Sequence, residues 1–315
     1  MFTDPGNANP AHTMSLKSLL IPILNRAPKR QYLDTLPMGD AIPRIIHQTF
    51  YDRKLSPELQ ANVDRLRALN PDWEYRFYDD ADIAAFIKGN YPPAVWAYFE
   101  RIDPRYGAAR ADLFRYLLLY KVGGAYFDIK SSTSRPLSEV IRPDDRFLLS
   151  KWHRADGQYE VYGWHYDLLG HPGGEYQQWH VVSAPGHPFL KAVLETAFSN
   201  IDLYDPYLHQ TGKRGVLRVT GPITYTLAIH PLMPHHPHRV VDSRNELGFE
   251  YNVYQNQAHQ NIFKSHYSLQ TAPIVRMKPH KRVVSQLYRM MQFGHDLAIR
   301  ASGKSAKPAD ATQQG

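Results

Sequence analysis

The chain has 315 residues, room for one large domain or two small ones with a sizeable core. Hydrophobic residues make up 43% and charged residues 21%, which excludes a disordered, collagen-like or membrane-spanning chain, and the lack of cysteine excludes disulfides, thiolate zinc sites and cysteine nucleophiles. Lys and Arg total 37 against 30 Asp and Glu, a net +7 that directs attention to anionic partners: nucleic acid, a membrane surface or a phosphorylated substrate.

Residues 1 to 14 read as a loose polar tail. The apolar run Leu19 to Leu24, broken by Pro22, falls far short of the roughly 20 residues that cross a bilayer. It also lacks a signal-peptide pattern, so a cytoplasmic location is expected. Ile45-Ile46-His47-Gln48-Thr49-Phe50, bounded by Pro43 and Asp52, predicts a strand. Ser56 then caps a helix with Pro57 at its first position and Leu59, Val63, Leu66 and Leu69 at helical spacing. Trp73, Tyr75 and Phe77 alternate with Glu74, Arg76 and Tyr78 as a second strand, and Asp80 or Asp82 caps a short helix through Ile83, Phe86 and Ile87. This order is a βαβ unit and predicts a parallel sheet with covering helices.

A longer helix is expected from Arg105 to Lys121, ended by Gly123-Gly124, one of which takes the left-handed conformation past the helix end. Ala125 to Ile129 follows as a strand. Further short strands are expected at Phe147–Ser150, Val161–Leu169, His180–Ser183 and near Thr220, with a helix over Pro188–Phe198. Val283, Val284, Leu287, Met290, Met291 and Leu297 recur at helical spacing among Lys281, Arg282, Arg289 and Arg300. Such a segment either lies on an anionic membrane surface as a peripheral contact or docks on the domain with its basic residues solvated. The chain therefore divides into residues 1–40, a tail and short helix; 41–280, one α/β domain; and 281–315, a basic amphipathic helix and tail.

The most informative stretch is Ala109-Arg110-Ala111-Asp112-Leu113-Phe114-Arg115-Tyr116, followed by Gly123-Gly124-Ala125-Tyr126-Phe127-Asp128-Ile129-Lys130. Asp112 and Arg115 are neighbours on one helix face. They lie about 14 Å and about 9 Å before the helix end, and four strand residues carry the chain back about 13 Å to Asp128. A tight reversal at the glycines brings two carboxylates and a guanidinium together near the carboxyl end of a strand, where a ligand crevice is expected. The spacing equally allows a surface ion pair between Asp112 and Arg115 with no further role.

The pieces IPRIIHQTF, NPDWEYRFYDD, ARADLFRYLLLYKVGGAYFD and VTGP resemble the DXD-motif sugar transferases, glycosyltransferase family 32. The resemblance covers about Ile42 to Pro136. It implies an α/β GT-A fold, a mixed, mainly parallel sheet flanked by helices, and a retaining hexosyltransferase with a UDP- or GDP-sugar as donor. It further implies a glycan or lipid-linked glycan as acceptor, in the assembly of capsule, lipopolysaccharide or other surface polysaccharide, and no nucleic acid as partner. By position, Phe50 takes the place of an aromatic residue that stacks on the donor base. Asp112 and Arg115 match the block that contacts sugar, ribose and diphosphate, and Asp128 matches the first carboxylate of DXD. His47, Gly124 and Tyr126 fall among the donor-side positions.

Two departures follow. The second DXD carboxylate is replaced by Lys130, whose ammonium repels the Mn²⁺ or Mg²⁺ that Asp128 would ligate, so a metal requirement is in question. In its stead Lys130 can neutralise the leaving diphosphate, with Arg115 and Asp128 beside it. The alternatives are a Lys130 that points away along the strand and a catalytically inactive protein that binds nucleotide sugar or polyanion. Near the C-terminus the pattern offers His266 as a phosphate contact, with no tryptophan after Ser268. His165, Asp167, Glu175 and His180 fall where an acceptor would sit, without an assigned role.

Overall fold

The computed structural model describes residues 23–152, 162–254 and 270–294, except 26, 29, 278, 280, 288, 289, 292 and 293. The first strand, β1 (Ile45–Thr49), leads into helix α1 (Pro57–Leu69). Pro57 opens that helix and the Ser56 hydroxyl accepts from the Leu59 amide, a capping arrangement that satisfies an otherwise unpaired backbone donor. Strand β2 (Glu74–Tyr78) returns parallel to β1, with Ile46 opposite Tyr75. Helix α2 (Asp80–Asn90) is capped by Asp79, not by Asp80 or Asp82; Asp79 and Asp82 form a reciprocal capping box. The sequence signal was the carboxylate three residues beyond the cap. Helices α3 (Pro93–Arg101) and α4 (Gly107–Val122) follow.

Strand β3 (Gly124–Phe127) lies parallel to β1 and antiparallel to β6 (His180–Ser183). Strand β5 (Phe147–Leu149) pairs with β6 and with β7 (Arg239–Val240). The six-stranded sheet runs β2-β1-β3-β6-β5-β7, three of its five pairings parallel. This is the mixed, mainly parallel α/β sheet expected. A two-stranded ribbon joins β4 (Ser132–Thr133) to β8 (Phe249–Glu250).

Side chains alternate between two cores. Tyr126, Val181, Phe147 and Leu149 pack under α4, α6 (Pro188–Leu203) and α9 (Pro222–Ile229). Ala125, Phe127, Val182 and Leu148 face the opposite core with Leu66, Trp73 and Leu137. Ten of the sixteen residues of α4 are buried, which is why this helix reads as apolar all round.

Three expectations differ. Of the strand expected over 161–169, the described part holds a short 3₁₀ turn, Tyr166–Leu168, and joins no sheet among the described residues. Thr220 lies in the turn between α8 (Gly212–Val219) and α9, where Gly221-Pro222 starts a new helix instead of a strand. Helix α6, expected over Pro188–Phe198, runs on to Leu203, five residues further. Among the described residues no helix is long and apolar enough to cross a membrane.

Candidate active site

The reversal between α4 and β3 sets the geometry. Gly123 and Gly124 have φ of +72° and +107°, where a side chain is strained, and a Cβ on Gly124 would lie 2.6 Å from the Ile45 carbonyl. The turn is therefore tight. Its neighbour His47 is fully buried, its Nε2 3.0 Å from the Gly123 carbonyl and its Nδ1 3.2 Å from the Tyr78 hydroxyl. Burial holds its pKa down at about 4. His47 and Gly124 thus brace the turn.

On the far side of that turn Arg115 Nη2 lies 3.2 Å from Asp112 and 3.1 Å from Asp128. Asp112 and Arg115 are each 4% exposed, which rules out the surface-pair reading, while Asp128 is 26% exposed. Asp112 is saturated: Gln178 Nε2 donates to Oδ1 at 3.1 Å and Thr220 Oγ1 to Oδ2 at 3.0 Å. Burial raises its pKa against the pull of Arg115. A carboxylate enclosed in this way shapes the site more readily than it grips a sugar hydroxyl. The guanidinium is held further by the Gln178 carbonyl and lies 4.6 Å above the Tyr126 ring, and its pKa is raised by the surrounding Tyr126, Asp128 and Asp112 in spite of burial. Tyr126 is buried, with its hydroxyl 3.1 Å from Thr49. It positions Arg115 from beneath.

Lys130 is 8% exposed, its ammonium 3.2 Å from the Tyr251 hydroxyl and 4.4 Å from the ring centroid. Burial lowers its pKa and Asp128 raises it. It sits on the same turn as Asp128 and not out along a strand. Asn62 of α1 anchors that turn, donating to the carbonyls of Ile129 and Ser131 at 3.1 and 3.0 Å. The ribbon supplies Tyr251 from beyond β8, with Val253 N donating to the Lys130 carbonyl at 2.9 Å.

Phe50 is 8% exposed and packs with Leu59, Val63 and Ile129, its ring 4.3 Å from that of Tyr51. It is part of a small core. His266 lies outside the described residues.

Beside Lys130 an aromatic wall continues from Tyr251 to Trp152 and Tyr162, with centroids 5.0 to 6.3 Å apart. Glu175 accepts from Trp152 Nε1 at 2.7 Å and pairs with His165 at 2.6 Å. Asp167 is held by a bidentate contact from Arg218. His180 is buried against Trp179, Phe127 and Phe249 and belongs to the core. Gln178, Tyr251 and Trp152 were not foreseen from the sequence, which carries no local signal for them. Thr220 was within reach, since it is the threonine of VTGP.

Among the described residues no three His, Cys, Asp or Glu side chains cluster as ligands, and Asp128 stands between two cations, Arg115 and Lys130.

Residues 56–148 match the family described as the glycosyltransferase sugar-binding region containing the DXD motif. Among curated proteins, inositol phosphoceramide mannosyltransferase 1 of Schizosaccharomyces pombe is 25% identical over 250 residues, 76% of this chain and 65% of that protein. A mannosyl phosphorylinositol ceramide synthase of Saccharomyces cerevisiae is 31% identical over 185 residues, 58% of this chain and 42% of that protein. The chain spans between 28% and 65% of the lengths of the first yeast relatives it matches. A solved structure, the PaToxG glycosyltransferase, overlaps at a TM-score of 0.46 with 16% identity, covering 62% of this chain and 71% of that one. Over residues 56–148, about a third of its length, the chain is thus similar to the DXD-motif sugar transferases.

Proposed function

We propose that this chain is a GT-A type, retaining hexosyltransferase that moves a sugar from a UDP- or GDP-sugar to a glycan or glycolipid. One observation carries the reading: Arg115 is held 3.1 Å from the half-open Asp128, with Lys130 on the same turn, at the carboxyl end of β3. Open α/β sheets bind their ligands at that edge. Formal charges in the cluster balance, Asp112 and Asp128 against Arg115 and Lys130. A diphosphate enters by taking over donors of Arg115 that Asp128 now occupies, and Asp128 is then released toward the hydroxyls of ribose or sugar.

In the transfer, the acceptor oxygen bonds to the anomeric carbon on the face from which the phosphate oxygen departs. The proton of the acceptor hydroxyl passes to that departing oxygen. Arg115 and Lys130 stabilise the negative charge gathering on the diphosphate, Lys130 as a point charge. The wall of Trp152, Tyr162 and Tyr251 supplies faces for an acceptor sugar, and Glu175 with His165 supplies its polar contacts.

The family match over residues 56–148 supports a sugar transferase, and the printed names of the yeast relatives support mannose as the sugar and a phosphoinositol-bearing lipid as the acceptor class. Capsule and lipopolysaccharide, expected from the sequence, find no counterpart among those names. A second reading, a catalytically inactive nucleotide-sugar binder, is favoured by one observation, the ammonium of Lys130 where a carboxylate is usual.

Calorimetric titration with UDP- and GDP-sugars, with Mn²⁺ and with EDTA, followed by product detection with phosphoinositol lipids, separates the readings. We expect binding that survives EDTA and weakens at least about tenfold in Lys130→Ala, the loss of one charge-assisted contact, together with a glycosylated lipid product. Binding without product on any acceptor would favour the inactive binder. Failure to bind any donor would overturn both.

A further inference from the structure

The last helical segment is turned the wrong way round for a helix that serves only to close the domain. Residues 281–287 are helical, as are Met290 and Met291. At about 100° per residue, Val283, Met290, Leu287, Met291 and Val284 fall on one stripe of roughly 120°. Every one of them is open: 63%, 69%, 55%, 68% and 45% exposed. Among the described residues, those turned inward are polar. Ser285 is 1% exposed, and the Lys281 ammonium donates to the Asp202 carbonyl at the end of α6. A helix packed only for stability would bury the apolar stripe and solvate the polar one.

Charge indicates what covers the stripe. Between Arg276 and Lys307 the sequence has eight Lys or Arg and a single acidic residue, Asp296, so this stretch alone accounts for a charge equal to the whole chain's +7. Arg276 and Arg282 are exposed. A second copy of the chain on this face would bring an identical set of cations against the first. An anionic lipid surface takes both features at once, the apolar stripe entering among the acyl chains and the cations lying at the headgroups.

We propose that the exposed face carrying Val283, Val284, Leu287, Met290 and Met291 is a docking surface for an anionic lipid bilayer and holds the protein as a peripheral membrane protein. The inference stands apart from the sugar-transfer reading, because it rests on a face that shares no residue with the Arg115 cluster. An interfacial helix is reversible in its binding, so association responds to salt and lipid charge.

The test is co-sedimentation of the full chain with vesicles of phosphatidylcholine containing about 30 mol% phosphatidylglycerol, against phosphatidylcholine alone. The expected result is partitioning at least about tenfold stronger on the anionic vesicles, falling by about fivefold for each of the exposed Arg276 and Arg282 replaced by Gln. Leu287→Glu with Met291→Glu should abolish sedimentation, while Leu287→Met with Met291→Leu retains it. These side chains are exposed, so thermal midpoint and circular dichroism of all variants should match the parent. Equal partitioning onto both vesicle types, no partitioning onto either, or binding that survives the double Glu variant would overturn the proposal. So would a dimer in solution that the same double variant dissociates, since the stripe would then be covered by a second copy.

Discussion

Arg115 and Asp128 meet across 3.1 Å although one belongs to a helix and the other to the turn after a strand, and the same guanidinium nitrogen reaches Asp112 at 3.2 Å. One side chain thereby ties an enclosed carboxylate to one that solvent and ligand can reach.

Arg115→Lys tests that tie. A shorter ammonium cannot keep both carboxylates and the Gln178 carbonyl in reach at once, and Asp112 would keep its burial with less compensation. The expected cost is about 3 kcal/mol of stability and at least about 100-fold in transfer rate. Denaturant unfolding and initial rates measure the two separately. A variant within a fewfold of the parent in rate would remove Arg115 from the reaction.

Lys130 should behave in the opposite manner. Its ammonium is buried and its pKa is lowered by that burial, so Lys130→Ala is expected to change stability by about 1 kcal/mol or less, and in either direction. Donor affinity and rate should nevertheless fall. Lys130→Asp restores a second carboxylate two residues from Asp128, and any activity it retains should come to depend on Mn²⁺. Rates with and without EDTA decide; an Asp variant indifferent to metal would show that this position does not address the diphosphate.

Glu175 holds Trp152 at 2.7 Å and His165 at 2.6 Å. Glu175→Gln keeps the hydrogen bond from Trp152 and removes the charge opposite His165. If this wall receives the acceptor, acceptor KM should rise about three- to tenfold with donor KM unchanged. The reverse pattern, a donor effect alone, would place the wall on the other side of the reaction.

Acid should unfold the protein in a window set by its buried histidines. Burial lowers His47 and His187 to about 4 and His180 to about 3. Folded values below the ordinary 6.5 mean that the unfolded chain takes up protons first as pH falls. Their contribution is present in full above about pH 6.5; it is lost by about pH 4 for His47 and His187, at about 3 kcal/mol each, and by about pH 3 for His180, at about 5 kcal/mol. His180 Nδ1 has no hydrogen-bond partner among the described residues, and the ring touches Phe127 and Phe249. His180→Phe should therefore move the acid midpoint to lower pH, as followed by tryptophan fluorescence. An unchanged midpoint would show that His180 does not govern it.

Local signals served best where the chemistry is local. The βαβ unit, the Gly123-Gly124 turn and the spacing of Asp112, Arg115 and Asp128 all fall within one continuous stretch, and periodicity with glycine stereochemistry was enough to place them. Gln178 and Tyr251 approach the cluster from distant segments through β6 and β8, and only the tertiary pairing brings them in. Phe50 and His47 show the opposite limit. Position in a family pattern placed them on the donor side, and the sequence carried no sign of their burial, 0% and 8% exposed for His47 and Phe50.

Asn62 joins the turn bearing Asp128 and Lys130 to helix α1 by gripping the carbonyls of Ile129 and Ser131, while its own Oδ1 has no partner among the described residues. The loop's conformational freedom is thereby surrendered when the chain folds and not when a ligand arrives. Association at this turn should be governed by what the ligand displaces, with little of the entropic penalty that an unformed loop would impose. The first helix of the fold thus sets the stiffness of a site to which it contributes no charge.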